Sequence, residues 1–144
     1  MADPLDSQAA YWNGVAEEKT FTHALDVERF KRFVPLDADV LDFGCGYGRI
    51  GNTLHALGYR NVVGLDLSAK MIARGRTIYP HIHLKTATPE RWPGLPESFD
   101  MVILFAVLTC IPTNTGQEVL LKQIDHGYNR FYAGLISCTL TIRR

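Results

Sequence analysis

The sequence predicts a single α/β domain built on a doubly wound, mostly parallel sheet. Short apolar segments alternate along the chain with amphipathic segments of helical length. Such alternation is typical of βαβ units, in which helices cover both faces of a parallel sheet. A glycine-rich loop follows the first apolar segment in "LDFGCGYGRIG" (41–51), at the edge where ligands bind in open sheets of this kind.

The N-terminal part of the chain is predicted to be a helical lead-in over about residues 8–36. Within it, the segment 22–34 carries apolar residues at helical spacing with charged residues between them, and Pro35 follows. We therefore expect one amphipathic helix over that segment, ending before the proline. The domain as a whole is expected to span residues 1–144.

Five short apolar runs are predicted to be the strands of the sheet. Most are bounded by turn-forming or polar residues, and the fourth is the most strongly apolar of the set. The expected strands are residues 38–43, 61–68, 82–86, 99–108 and 133–142.

Helices are predicted between these strands. Residues 49–57 place their apolar side chains on one face, and Gly58 follows as a C-terminal stop. Ser68 is a good N-cap for a helix over 69–79. A further helix is expected to open at Thr115, where a capping-box pattern precedes an apolar run.

The overall composition disfavours several classes of partner. Lys and Arg together number 15, as do Asp and Glu, so no basic field indicates an obligatory nucleic acid or an anionic membrane. The longest apolar run, 101–108, is too short to span a bilayer, and the N-terminus lacks the regions of a signal peptide. The three cysteines lack metal-type spacing and indicate reduced thiols, so we expect a cytoplasmic protein.

Two ligand classes use a glycine loop after the first strand. The dinucleotide fingerprint G-x-G-x-x-G matches Gly46, Gly48 and Gly51. Counted from the end of the strand, however, the fingerprint should start at Gly44, and its third glycine would then fall on Arg49. This register disfavours a nicotinamide cofactor and an oxidoreductase.

Three motifs, in order, resemble those of the class I S-adenosylmethionine-dependent methyltransferases. "VLDFGCGYGRIG" (40–51) resembles their first motif, (V/L)LDxGCGxG. "VVGLDLSAKMIARGR" (62–76) resembles the segment that follows, and "SFDMVILFAVLTCIP" (98–112) resembles the fourth-strand motif. The resemblance covers about residues 10–125. It implies a Rossmann-like fold that binds S-adenosyl-L-methionine and releases S-adenosyl-L-homocysteine.

The resemblance also implies roles for the residues at the strand ends. Gly44 and Gly46 let the backbone pass close to the cofactor, where a Cβ would collide. Asp42 is expected to hold the loop and to face the methionine ammonium, directly or through water. Asp66 is expected to accept hydrogen bonds from both ribose hydroxyls.

The adenine ring is expected to lie between Leu67 and Met71. The full set of residues expected at the cofactor is Asp42, Gly44, Cys45, Gly46, Gly48, Asp66, Leu67, Ser68, Met71, Ala87 and Phe105. No residue is identified as a general base, and no metal ligand is assigned.

Several of these residues have structural interpretations as well. Asp66 is also placed to cap the next helix, Cys45 to pack beneath the loop, and Phe105 to belong to the core. The aromatic pair Tyr11 and Trp12 either closes over the cofactor or packs on the core.

Basic and histidine side chains near the predicted site have simple alternatives too. His81 and His83 share one strand face and could touch a metal together, but no third ligand is near, so a solvated face is favoured. Arg49 is interpreted as a residue at a helix N-terminus that makes a surface pair.

The chain departs from the family pattern at two places. "KTATPERW" (85–92) lacks the acid that usually follows the third strand, so we expect weaker discrimination of adenine. The family fold has seven strands, whereas this sequence ends about where the fifth strand ends, so the sheet is expected to be truncated there. Three explanations of the missing strands are left open: the sequence is a fragment, its C-terminus is divergent, or a homodimer forms through the exposed sheet edge.

The predicted function is therefore an S-adenosylmethionine-dependent methyltransferase that moves a methyl group to an unidentified small-molecule acceptor by in-line displacement. The alternative is a non-catalytic module, or a truncated methyltransferase remnant, that binds the cofactor and acts as a partner subunit. Turnover would separate the two.

Overall fold

The computed structural model describes residues 4–88, 99–105, 115, 118–120 and 122 of the chain. Helices and strands alternate through this part of the molecule. In chain order they are α1 (Pro4–Val15), α2 (Val27–Phe33), β1 (Val40–Phe43), α3 (Arg49–Ala56), β2 (Val62–Asp66), α4 (Ala69–Ile78), β3 (His83–Thr86) and β4 (Met101–Ile103).

The four strands form one parallel sheet in the order β3-β2-β1-β4. Val40 of β1 pairs with Val62 of β2 on one side and with Met101 of β4 on the other. Because the order reverses beside β1, the carboxyl ends of β1 and β4 flank the topological switch point of the sheet. The predicted α/β class with a parallel, doubly wound sheet is confirmed.

The predicted helix stops also agree with the structure. Gly58 lies just after α3 with φ of 102°, a left-handed conformation that favours glycine. Ser68 is the N-cap of α4 and its hydroxyl accepts a hydrogen bond from Met71 N at 3.1 Å. Among residues 115–122, those that the structure describes are helical, as expected.

The prediction for 22–34 is wrong at its start. α2 begins only at Val27, because the carboxylate of Asp26 accepts a hydrogen bond from Arg29 N at 3.0 Å and caps the helix there. The lead-in also contains a separate helix, α1, which begins before residue 8. The fifth predicted strand, 133–142, lies outside the described residues.

The core lies on both faces of the sheet. On one face Val40, Leu54 and Tyr59 are buried, and the Tyr59 hydroxyl donates a hydrogen bond to Val34 O at 2.7 Å. On the other face Ile72 of α4 and Leu84 of β3 pack beneath the glycine loop. Within the described residues, no helix is both long and apolar enough to cross a membrane.

Two glycines let α4 approach the sheet closely. A Cβ on Gly75 would collide with the carbonyl oxygen of Tyr47 and with a methyl group of Leu84. A Cβ on Gly64 of β2 would lie 2.6 Å from Leu84 Cδ2 and 2.9 Å from the sulfur of Cys45. The side chains beneath the glycine loop are therefore packed so closely that neither glycine can be replaced by a residue with a Cβ without a shift of its neighbours.

We expect Gly75→Ala to lower the free energy of unfolding by roughly 2 kcal/mol, because the overpacking exceeds the gain of about 1 kcal/mol in helix propensity. Urea unfolding would measure the change. Gly14→Ala in α1 is the matched control, since a Cβ there meets nothing within 4 Å. Equal unfolding free energies for the two variants would contradict this account of α4 packing.

Candidate functional site

Acidic residues of two neighbouring strands lie at the carboxyl edge of the sheet. Asp42 is the last residue but one of β1, and Asp66 is the last residue of β2. The strands run parallel in register, with Asp42 opposite Gly64 and Phe43 opposite Leu65. Both acids therefore lie close to the loop that connects β1 with α3.

This connection, residues 44–48, is the loop predicted from the glycine spacing. Gly44, Gly46 and Gly48 have φ of 72°, 57° and 89°, which is backbone that other residues rarely adopt. The amides of Gly44 and Cys45 both donate to Leu65 O, at 2.7 and 3.1 Å. The loop thus begins at the end of β1, in the register that disfavours the dinucleotide fingerprint.

The carboxylate of Asp66 joins this loop to the next one. Its Oδ2 accepts a hydrogen bond from Gly46 N at 2.8 Å, and its Oδ1 accepts one from Ser68 N at 2.8 Å. Burial raises the pKa of Asp66, and these two hydrogen bonds oppose the rise. The side chain is only partly buried, and each oxygen keeps a lone pair for a further donor. Its contact with ribose hydroxyls stays a prediction.

Asp42 is the most unusual group of the site. Its side chain is 1% exposed, and its Oδ2 has no hydrogen-bond partner. Burial, and next the negative charge of Asp66, raise the pKa of Asp42 to about 7, against a smaller lowering by Arg49. A buried carboxyl oxygen without a donor is costly, so it indicates a place for a ligand donor or a cation.

Arg49 follows the glycine loop as the first residue of α3. Its Nε is buried without a hydrogen-bond partner, and its guanidinium carbon lies 5.9 Å from the centroid of the Phe105 ring. The predicted place of Arg49 at a helix N-terminus agrees with the structure, and its surface pair stays a prediction. The sequence already marked Arg49 as unusual. A cation at a helix N-terminus is disfavoured by the helix dipole, so its presence there indicates a role other than stabilising the helix.

The other predicted residues of the second loop take different positions. Leu67 is partly exposed beside Asp66, whereas Ala87 is buried and donates its amide to Asp66 O at 2.8 Å. Met71 is 1% exposed and packs with Ala16 and Tyr47. In this structure Met71 therefore belongs to a core cluster, and its contact with adenine stays a prediction.

Cys45 packs beneath the loop. Its side chain is buried with Ile72, Ile82 and Leu84, and burial raises the pKa of its thiol. Of the two interpretations, the structure places the side chain in the core, so only the backbone of Cys45 lies along the loop. Phe105 packs partly against the core as well as facing Arg49.

Hydrogen bonds that the sequence did not indicate hold the N-terminal segment against α4, next to these loops. Asn13 Oδ1 accepts hydrogen bonds from the Ser68 hydroxyl at 2.7 Å and from Lys70 N at 3.2 Å. Arg74 donates to Ala16 O at 2.8 Å and to Lys19 O at 2.6 Å. These contacts join residues 13–19 to α4 and to its N-cap residue.

Aromatic rings continue this cover across the glycine loop. The Phe21 ring stacks on Tyr47 with centroids 5.4 Å apart and would contact a Cβ on Gly46 at 2.9 Å. Trp12 packs against the same cluster, whereas Tyr11 is 55% exposed. Of the predicted aromatic pair, Trp12 alone therefore joins the core in this structure.

The predicted histidine pair forms no metal site among the residues that the structure describes. His83 is exposed, and His81 lies 3.0 Å from Asn52 Oδ1 with its ring 4.8 Å from that of His55.

A cavity of about 310 Å³, lined in part by Phe33 and Asp100, lies at the opposite edge of the sheet. The unpartnered buried atoms lie at the carboxyl edge, which is therefore the candidate site.

Comparison with known proteins gives a family for this arrangement. The model of a family described as a methyltransferase domain matches residues 40–126, which hold the glycine loop, both acids and β4. No protein of curated function matches the sequence significantly.

Solved structures share the fold. A SAM-dependent methyltransferase from Methanosarcina mazei is similar with a TM-score of 0.64 and 21% identity, over 78% of this chain and 56% of that one. Another from Mesorhizobium loti has a TM-score of 0.53 and 25% identity, over 75% and 50%. The chain thus spans about half the length of these two proteins.

A third structure is similar over the whole chain. Magnesium protoporphyrin IX methyltransferase from Synechocystis, with bound SAM, has a TM-score of 0.70 and 16% identity, over 100% of this chain and 82% of that one. At this identity the likeness describes the fold alone. It matches the Rossmann-like arrangement that the motifs predict.

The unpartnered carboxyl of Asp42 has a consequence for stability. Its native pKa of about 7 lies above the value of 3.8 expected for an exposed Asp. Between these values the native state binds one proton more than the unfolded state, so the free energy of unfolding falls as pH rises through this range. We expect Asp42→Asn to remove that fall and to stabilise the protein at pH 8, by at most about 4 kcal/mol.

Urea unfolding at about pH 4.5 and pH 8 measures this effect. The difference between Asp42→Asn and wild type should be small at the lower pH and large at the higher one. Asp37→Asn is the control, because Asp37 is an exposed carboxylate. A difference that does not change with pH would contradict the assignment.

Proposed function

This chain belongs to the methyltransferase domain family, and from that premise we propose that it is an enzyme that transfers a methyl group from S-adenosylmethionine to a small-molecule acceptor. The proposal rests on one structural observation, the pair of acids at adjacent strand ends. The glycine loop follows Asp42 in the chain and donates a hydrogen bond to Asp66, and Asp42 has a buried oxygen without a donor. Because the chain spans about half of the first two solved structures, the activity of the whole protein is part of the proposal.

The donor groups of S-adenosylmethionine fit the acids of this site. Its methionine arm carries an ammonium, which would satisfy the unpartnered Oδ2 of Asp42. Its ribose hydroxyls are donors for the free lone pairs of Asp66, which the amides of Gly46 and Ser68 hold in place. Charge-assisted hydrogen bonds of this kind contribute roughly 1.5–3 kcal/mol each.

S-adenosylmethionine supplies an electrophilic methyl group on a sulfonium. The residues of this chain provide proximity and orientation, which are the main requirements for an in-line displacement. The glycine loop would let the backbone approach the nucleoside. The ring of Phe21 lies against Gly46 of that loop and packs with Trp12, so these rings would shield the nucleoside from water. We assign no general base, since one is needed only where the acceptor atom carries a proton.

A small molecule is the proposed acceptor. The formal net charge of the chain is zero, which gives no support to an obligatory nucleic acid or membrane partner. We also propose a cytoplasmic location and keep the homodimer as a prediction, because the strand that would form its edge, 133–142, lies outside the described residues.

Turnover is the direct test of an enzyme against a non-catalytic binding module. Purified protein, S-adenosylmethionine and a panel of small-molecule acceptors should give S-adenosylhomocysteine, measured by mass spectrometry, with at least one acceptor. Binding of the cofactor without turnover on any acceptor would favour the binding module.

We expect Asp66→Asn to abolish the thermal stabilisation that S-adenosylhomocysteine gives to the wild type. The amide keeps the size of the carboxylate but loses its charge and places an NH2 against one backbone amide of the loop. Asp37→Asn, on the exposed surface, is the matched control and should retain the full shift. NADH should stabilise neither protein, and an unchanged shift in Asp66→Asn would refute the proposed ribose contact.

A further inference from the structure

One of the two histidines that the sequence places on a common strand face has a different neighbour in the structure. The ring of His81 lies 4.8 Å from the ring of His55, measured between their centroids, and the ring planes are inclined by 59°. His55 belongs to the last turn of α3, whereas His81 lies two residues before β3. Two imidazoles from separate elements are therefore side by side, although His83 is not one of them.

This pair of rings lies at the amino edge of the sheet, where the strands begin. α3 starts after the glycine loop at the carboxyl edge and leads to the start of β2, so its last turn lies at the amino edge. β3 begins at the same edge, because it runs parallel to β2. His55 and His81 are thus on the opposite side of the sheet from Asp42 and Asp66, and they form no part of the candidate cofactor site.

The separation of the rings is the one expected for two imidazoles that share a metal ion. With metal–nitrogen bonds of about 2.0–2.1 Å and a tetrahedral or square arrangement, the centres of two such rings lie about 4.5–5 Å apart. His55 is half-buried and His81 is exposed, so both rings have room to rotate and present a nitrogen to one ion.

Two neighbours orient the ring of His81. Its Nε2 lies 3.0 Å from Asn52 Oδ1, and its ring packs edge-on against that of Tyr79, with centroids 6.5 Å apart. An amide oxygen only accepts hydrogen bonds, so Nε2 carries the hydrogen and Nδ1 keeps its lone pair for a ligand. A hydrogen bond from one ring nitrogen to an oxygen is the usual support for a histidine that binds a metal through the other nitrogen.

The charges around His55 act in both directions. Desolvation, and next the positive charges of Arg60 and His81, lower the pKa of His55, which keeps its imidazole in the neutral form that binds metals. The C-terminal end of the α3 dipole favours a cation at this place. Arg60, which donates to His55 O at 2.8 Å, opposes one. We therefore expect moderate affinity for a metal ion.

The side chains at this place select a class of metal. Imidazole suits zinc, copper and nickel, whereas magnesium and calcium prefer oxygen ligands. In the part of the chain that the structure describes, no group of three or more His, Cys, Asp or Glu side chains could hold a metal ion. Water would therefore fill the remaining coordination positions of an ion held by the two rings.

We propose that His55 and His81 together bind a divalent transition-metal ion at the amino edge of the sheet, with Asn52 orienting His81. The ion adds a second link between α3 and the segment before β3, beside the hydrogen bond to Asn52. Because this site is separate from the one assigned to methyl transfer, the inference goes beyond the proposed function and does not depend on it.

The test measures Ni²⁺ binding to the untagged protein by calorimetry at neutral pH. We expect one ion per chain in the wild type. His55→Ala and His81→Ala each remove one of two ligands, so each should cost more than the roughly 10- to 100-fold typical of a supporting residue. Asn52→Leu removes only the support of His81 and should fall within that range. Ni²⁺ should also raise the Tm of the wild type and leave that of His55→Ala unchanged.

His83→Ala is the matched control, because His83 is an exposed histidine on the neighbouring strand that does not face the pair. It should bind Ni²⁺ as the wild type does, and Mg²⁺ should not compete with Ni²⁺ in either protein. Absence of Ni²⁺ binding in the wild type would overturn the inference. Equal, small losses in His55→Ala, His81→Ala and His83→Ala would also overturn it, since they would show adventitious binding by single histidines.

Discussion

The carboxylate of Asp66 is the interaction on which the site depends. By accepting one hydrogen bond from Gly46 N and one from Ser68 N, it ties the loop after β1 to the loop after β2. Ser68 then starts α4 and is itself bonded to Asn13 of the N-terminal segment. One side chain at the end of one strand thus links three separate parts of the chain. Because these hydrogen bonds form without a ligand, the two loops are already arranged before one arrives.

The packing beneath the loop explains why Asp66 can make both contacts. Gly64 and Gly75 leave room for Leu84 and Cys45 to fill the space between α4 and the sheet, and the carbonyl oxygen of Tyr47 sits directly against Gly75. A larger residue at Gly75 would push α4 away from Tyr47 of the loop, and one at Gly64 would displace Leu84 or Cys45 beneath it. The geometry of the site is therefore set by a close approach in the core as much as by the positive φ of its own glycines.

Features with a local cause could be predicted from the sequence. The alternation of apolar and amphipathic segments predicted the parallel sheet. Ser68 and Gly58 predicted helix ends, because helix capping depends on residues that are close in the sequence. The start of α2 was misjudged because the cap formed by Asp26 overrides the apolar periodicity that precedes it. The buried position of Met71 and the stacking of Phe21 on Tyr47 could not be predicted, since both depend on where the N-terminal segment folds back.

The unpartnered atoms of Asp42 and Arg49 show where this protein departs from maximum stability. Two opposite charges could have closed on each other as an ion pair, or an apolar pair of similar size could have replaced them at little cost. Instead the guanidinium lies over the ring of Phe105, and burial raises the pKa of Asp42 to about 7, while one buried atom of each group has no hydrogen bond. A destabilised, preoriented pair of this kind gains its hydrogen bonds only when a complementary ligand binds. The stability that the unpartnered atoms cost the folded protein is recovered only when such partners are supplied.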